Sequence, residues 1–216
     1  MQKDSAENSI ASQLKCPSGS KGIEMGEMMH ATNIGMTRSA IKALNLNDKD
    51  EVLEIGHGNA KHLNEFFQEA KALKYVGVDI SEQMHIQAKN FANDLKEATQ
   101  FYLYNGINLP FEADTLHKVF TVNTIYFWSN PTDFLNEIYK VLKPSGLLSV
   151  CFAEQSFMEQ LPFIDNQFEL YDEEKVIRLI GTSDFLIEEI IRKSEVVTAK
   201  DGTSVTRDYL VVVLKK

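Results

Sequence analysis

Cysteine is almost absent from this chain of 216 residues, Cys16 and Cys151 being the whole complement. Two thiols can neither staple a disulfide scaffold nor complete a four-ligand zinc site, so both read as reduced side chains and no metal is expected. Long apolar runs are missing too: the longest, Leu147 to Ala153, falls far short of the roughly 18 residues that span a bilayer, and no membrane span is expected. Basic charge is scarce, with 22 Lys and Arg against 31 Asp and Glu and a formal net charge of −9. A surface of that sign does not gather phosphates, so nucleic acid is not an expected partner. The first fifteen or so residues mix charges and amides without the apolar centre of a secretory signal, which makes the cytoplasm the expected location. Repeats and low-complexity tracts are also missing.

What remains is ordinary globular material, 44% hydrophobic and 25% charged, of a length that suits one large domain with an N-terminal extension. Residues 1–22 are polar and Ser-rich and carry Pro17 and Gly19, the make-up of a flexible lead-in. From Glu24 to Leu46 the positions Met25, Met28, Met29, Ile34, Met36 and Ile41 predict one or two helices broken near Gly35, forming a helical appendage over residues 23–48. Those methionines read either as a lid or as plain helix packing. Residues 49–216 form the main domain, where short β-like runs alternate with helical ones, the pattern of a parallel sheet wrapped by helices.

Strands are predicted at Glu51 to Ile55, Lys74 to Val78, Thr99 to Tyr104, Lys118 to Val122 and Leu147 to Phe152. Leu63, Phe66, Phe67, Ala70 and Leu73 recur at helical spacing after the first strand. Ser81 is placed to cap a helix burying Met84, Ala88, Phe91 and Leu95, and Asn130-Pro131 one burying Phe134, Leu135, Ile138 and Leu142. Pro144 and Gly146 end that helix, and Asp172 to Ile180 predicts another, closed by Gly181. Two last strands flank Asp201-Gly202, a hairpin signal, so the final strand should be antiparallel to its partner.

In open α/β sheets ligands collect at the carboxyl ends of the strands, and chemistry-bearing residues stand there. The turn Glu54-Ile55-Gly56-His57-Gly58-Asn59-Ala60 reads either as a tight βα connection or as a cradle in which backbone N–H groups of the next helix meet a ligand. A nicotinamide or flavin fingerprint, G-x-G-x-x-G, would require glycine at Lys61, and the sequence fails that test. Glu54, just before the first glycine, suits a ligand bearing an ammonium group, as S-adenosylmethionine does. Asp79 can accept from both hydroxyls of a ribose, or can serve only as a charge at a helix start. Asn105, in Tyr104-Asn105-Gly106-Ile107, can pair with an adenine edge or act as a turn residue.

Taken in order, Val52-Leu53-Glu54-Ile55-Gly56-His57-Gly58, Gly77-Val78-Asp79-Ile80-Ser81, Asn105-Gly106 before Leu109-Pro110-Phe111, and Ile138 to Gly146 resemble class I S-adenosylmethionine-dependent methyltransferases. They are most similar to the type 11 group that includes the ubiquinone and menaquinone C-methyltransferases. The resemblance implies a Rossmann-like three-layer α/β sandwich with a seven-stranded, mostly parallel sheet closed by an antiparallel hairpin strand. It also implies S-adenosylmethionine as cofactor, held at its methionine end by Glu54, Gly56 and Gly58, at the ribose by Asp79, and at the adenine by Ile80, Asn105, Gly106 and Ile107, with His57 and Asn123 beside it. Two departures stand out: the family often has glycine where this chain has Ala60, and aspartate where it has Asn105.

Methyl transfer from a sulfonium is an in-line displacement, so the protein mainly aligns donor and acceptor in a dry cleft. If the acceptor must lose a proton, Tyr126, His57 and His30 are the ionisable candidates near the mouth, none with a convincing spacing partner. The segment Asn123 to Trp128 follows the fourth strand, where this family builds the floor of the acceptor pocket; Tyr126 and Trp128 there could cradle a planar or apolar molecule or simply pack the core. The expected function is methyl transfer to an unidentified small molecule. A non-catalytic module binding adenosylmethionine or adenosylhomocysteine, and a Rossmann NAD-dependent oxidoreductase, are the alternatives.

Overall fold

A computed structural model describes residues 9–198 and 204–216. Seven strands, β1 (Glu51–Ile55), β2 (Lys74–Asp79), β3 (Thr99–Leu103), β4 (Leu116–Val122), β5 (Leu142–Ala153), β6 (Leu186–Thr198) and β7 (Ser204–Lys215), form one sheet in the order β3-β2-β1-β4-β5-β7-β6. All pairs are parallel except those made by β7, which runs antiparallel to both β5 and β6. This is the expected Rossmann-like sheet with its antiparallel C-terminal hairpin; the Asp201-Gly202 turn itself lies outside the described residues.

On β1, Val52, Leu53 and Ile55 are all fully buried. Adjacent residues of a strand point to opposite faces, so both faces of the sheet are covered at its centre. Ile55 is level with Val78 on β2 and with Thr121 on β4. The chain therefore leaves three neighbouring strands at one rim, and the residues that follow them are brought together there.

The helices are α1 (Ile10–Lys15), α2 (Gly19–Ala43), α3 (Leu63–Phe66), α4 (Glu82–Phe91), α5 (Pro131–Val141), α6 (Gln155–Met158) and α7 (Glu173–Ile180). The predicted caps form: Ser81 Oγ accepts from Met84 N, Asn130 Oδ1 from Asp133 N, and Asp172 Oδ1 from Lys175 N. Each satisfies one amide that a helix start would otherwise leave bare.

Four local readings differ from the structure. Residues 9–22 contain α1 and the start of α2 where a flexible lead-in is expected; Ser9 caps α1, and the buried Gln13 bonds Ser18 through both side-chain and main-chain groups. The helix α2 is continuous through Gly35. A Cβ on that glycine would stand 2.1 Å from Glu195 Oε2, so the residue provides close approach to β6 rather than a break. Following β1, α3 is a single turn instead of a helix reaching Leu73. Lys71 donates its amide to Asp48 Oδ1 and its carbonyl accepts from Lys49 N, which draws the backbone toward the segment before β1. Finally, Leu142 opens β5 rather than closing α5, and Pro144 and Gly146 lie within that strand beside an irregularity in its pairing with β4 between Leu116 and Lys118.

Candidate active site

The rim above β1, β2 and β4 opens into a cleft of about 1020 Å³, part of it open to solvent. Its floor is the turn after β1. Gly56 and Gly58 hold φ of +78° and +55°, the left-handed region that glycine enters without steric cost. A Cβ on Gly56 would meet Thr124 Cγ2 at 2.4 Å, whereas one on Gly58 would have nothing within 4 Å. One glycine lets two loops touch; the other leaves open backbone toward the cleft.

Asp79 ends β2 in the same cleft, almost completely buried. Its Oδ2 accepts from Gly58 N at 2.9 Å and its Oδ1 from Ser81 N at 2.8 Å. These bonds tie the glycine turn to the start of α4 and still leave acceptor capacity on both oxygens. Burial raises the Asp79 pKa above the ordinary carboxylate value, with His57 and the two amides opposing the shift.

Glu54 also faces the cleft but is not free. The Tyr75 hydroxyl donates to it, and His62 Nε2 lies 2.7 Å from its Oε2. Burial, reinforced by Glu54, pushes the Tyr75 pKa well up and keeps the phenol a donor. His57 turns its ring edge-on to Phe101, 5.0 Å between centroids, with Nδ1 2.7 Å from Gly58 O. Asn123 has φ of +56°; its Oδ1 accepts from Tyr126 O–H at 3.1 Å and from Ala153 N at 3.2 Å, linking the end of β4 to that of β5.

Ile80, Gly106 and Trp128 line the cleft, as do Glu54, Gly56, His57, Gly58, Asp79 and Asn123. Three expected residues do not. Asn105 is exposed, and its side-chain oxygen accepts from Ile107 N and Asn108 N, both at 2.9 Å, closing its own turn. Ile107 is 55% exposed and is not part of the cleft lining. Tyr126 lies beneath the floor, its hydroxyl donating to Ala153 O at 2.9 Å, and burial pushes its pKa far above the phenol range. Trp128 Nε1 donates to Thr124 Oγ1 at 3.1 Å, so this indole is fixed while its ring meets the cleft.

The roof comes from the N-terminal residues: the sequence left the methionines of residues 23–48 open as lid or packing and set His30 near the mouth, but gave residues 1–22 no part in the site. Pro17 O accepts from Ser81 Oγ at 2.5 Å, fastening the α1–α2 connection over the end of β2. The α2 residues Gly26, Met29, His30, Asn33 and Thr37 line the cleft, and Asn59 Nδ2 donates to Gly26 O at 3.3 Å. At the far side Arg207 of β7 donates to Asn33 Oδ1 at 2.8 Å, to Thr32 O at 2.6 Å and to Glu195 Oε1 at 2.5 Å. No local signal marks these partners; the spacing of Gly26, His30, Asn33 and Thr37 along one helical stripe was the only available hint.

Residues 53–150 match the family model described as a methyltransferase domain. Over that stretch the chain is similar to methyltransferases. It is 28% identical over 126 residues to the uncharacterized methyltransferase YdaC of Bacillus subtilis, covering 58% of this chain and 68% of that protein. It is 32% identical over 114 residues to the demethylmenaquinone methyltransferase of Tropheryma whipplei, covering 53% of this chain but only 46% of the relative. A SAM-dependent methyltransferase from Aquifex aeolicus shares the fold, with a TM-score of 0.62 at 18% identity over 87% of this chain and 95% of that one.

The cleft has the features that a ligand such as S-adenosylmethionine needs: open backbone at Gly58, a braced carboxylate at Asp79 and a recessed carboxylate at Glu54. Its departure from the family at Ala60 gains a physical reading. Ala60 holds φ of +56°, so the turn keeps the left-handed geometry that glycine would supply, and the chain carries that strain in a fully buried alanine.

Proposed function

We propose that this cleft holds S-adenosylmethionine against β1 and β2 and that the chain directs its methyl group to a small-molecule acceptor held between α2 and the Thr124–Trp128 segment. The observation that carries the reading is Asp79: a buried carboxylate with both oxygens braced by backbone amides and acceptor sites to spare, beside a glycine turn with open backbone. In this reading Asp79 takes the ribose hydroxyls, Gly56 and Gly58 admit the methionine end, and Glu54, oriented by Tyr75, faces its ammonium group. Ile80 and Gly106 flank the adenine.

When bound, the cofactor supplies an electrophilic methyl on a sulfonium. The protein's residues orient and enclose. The roof segment at Pro17 and α2 excludes water, while Trp128, locked by its bond to Thr124, offers a planar wall beside the cation. Calorimetric titration tests the reading: adenosylmethionine and adenosylhomocysteine should bind and NAD should not, with affinity falling at least tenfold in Asp79→Ala. Failure of the natural protein to bind adenosylmethionine, or undiminished binding in the variant, would overturn it. A methyl-labelled cofactor incubated with metabolite extract should then yield a labelled small product.

A further inference from the structure

Of the three ionisable side chains that the sequence sets near the mouth, two are buried and packed in place. The Tyr126 hydroxyl is spent on Ala153 O and Asn123 Oδ1 below the floor. His57 has Nδ1 on Gly58 O and its ring wedged against Phe101 and the backbone of Gly77, which fixes it in the turn although its buried Nε2 has no partner among the described residues. His30 differs. It stands on α2 in the stripe that faces the cleft, half-buried, and makes no hydrogen bond among the described residues. Its polar neighbours on the stripe are committed: Thr37 Oγ1 donates to Asn33 O at 3.1 Å, and Asn33 Oδ1 accepts from Arg207. The aromatic residues Phe127 and Trp128 line the same cleft.

We propose that His30 is the general base of this methyltransferase and that its acceptor is a small planar molecule carrying a phenolic or enolic hydroxyl. This rests on the cleft being the methyl-transfer site. The acceptor oxygen forms its new bond to the methyl carbon, the carbon–sulfur bond breaks with its electron pair left on sulfur, and the hydroxyl proton passes to an imidazole nitrogen of His30. The resulting imidazolium loses that proton to solvent after product leaves. An amine or aliphatic alcohol fits less well. An aliphatic amine is already charged at neutral pH, an aromatic amine sheds its proton readily to water after methylation and needs no base, and the alcohol is far too weak an acid for imidazole, whereas phenols and enols lie within its reach.

The surroundings keep His30 ready to accept a proton. Burial, then His62 and Lys61 from the turn before α3, hold its pKa below the ordinary imidazole value, with Glu27 on α2 and Glu65 on α3 partly offsetting them. The ring is therefore neutral at physiological pH, as a base must be.

The test uses the intact chain and needs no knowledge of the natural acceptor. Adenosylmethionine and adenosylhomocysteine differ by one methyl and one positive charge, so NMR titration of the assigned His30 ring should show a midpoint lower by about half a unit or more in the adenosylmethionine complex, if the ring faces the sulfonium. Separately, 4-nitrophenol added to the adenosylhomocysteine complex, at a pH where the free phenol is mostly protonated, should develop its phenolate absorption band with the natural chain and lose it with His30→Gln. Equal midpoints in the two complexes, absence of nitrophenol binding, or an undiminished band in His30→Gln would overturn the proposal. Failure of adenosylhomocysteine to bind at all would overturn the methyl-transfer site itself, which separates the two ideas.

Discussion

Gly56→Ala tests whether the turn after β1 is shaped by backbone conformation alone or by contact with the loop after β4. The natural residue holds φ of +78°, where an L-residue costs about 1–2 kcal/mol. Its new Cβ would also stand 2.4 Å from Thr124 Cγ2, a contact that must be relieved by moving Thr124. Overpacking of this kind adds about 1–3 kcal/mol, so the total expected loss is about 2–5 kcal/mol. Gly58→Ala supplies the control, because its φ of +55° carries the backbone cost while nothing lies within 4 Å of its Cβ. Thr124→Ser removes Cγ2 and keeps the hydroxyl that bonds Thr121 and Trp128. In a urea-denaturation cycle, Gly56→Ala and Thr124→Ser should therefore couple favourably by about 1 kcal/mol or more. Equal losses for the two glycine variants, together with additive behaviour of the Gly56→Ala and Thr124→Ser pair, would refute the steric argument.

Three further outcomes follow from the same geometry. Asp79 has its pKa raised by burial, and ribose hydroxyls bond its ionised form. Adenosylmethionine affinity should thus fall on acidification from neutral pH through that raised pKa, while the ligand-free fold moves the other way, gaining from Asp79 as pH falls; calorimetry at successively lower pH would show a flat profile in Asp79→Asn if the assignment holds, and a persisting slope would contradict it. Tyr126→Phe should cost about 1–2 kcal/mol in thermal or urea unfolding through the lost bonds to Ala153 O and Asn123 Oδ1, with cofactor affinity nearly unchanged; a collapse of affinity at unchanged stability would return Tyr126 to the site. Arg207→Met removes the clamp on Asn33, Thr32 and Glu195 and should cost about 3 kcal/mol, the lower end for a broken buried pair since Glu195 is partly exposed. Lysine should not restore it, because one ammonium cannot span the three acceptors; full stability in Arg207→Lys would disprove the clamp.

Much of this architecture is legible in the chain because its causes are local. Period-two and helical spacings place the strands and most helices, and the caps at Ser81, Asn130 and Asp172 form between residues three apart. The glycine turn and Asp79 were readable as one ligand rim because parallel βα units deliver consecutive strand ends to the same edge. What the sequence left open depends on partners far along the chain. Pro17 meets Ser81 across 64 residues and Asn33 meets Arg207 across 174, so a stretch that reads as a polar lead-in becomes a roof. Gly35 reads as a helix break until Glu195 is found pressed against it. Asn105 and Asn123 present the same amide to a sequence reader, yet one spends its oxygen on its own turn in solvent and the other ties two strands together inside the cleft. Hydrogen-bonding capacity belongs to the residue type; how much of it is left for a ligand is set by which distant groups the packed sheet brings within 3 Å or so.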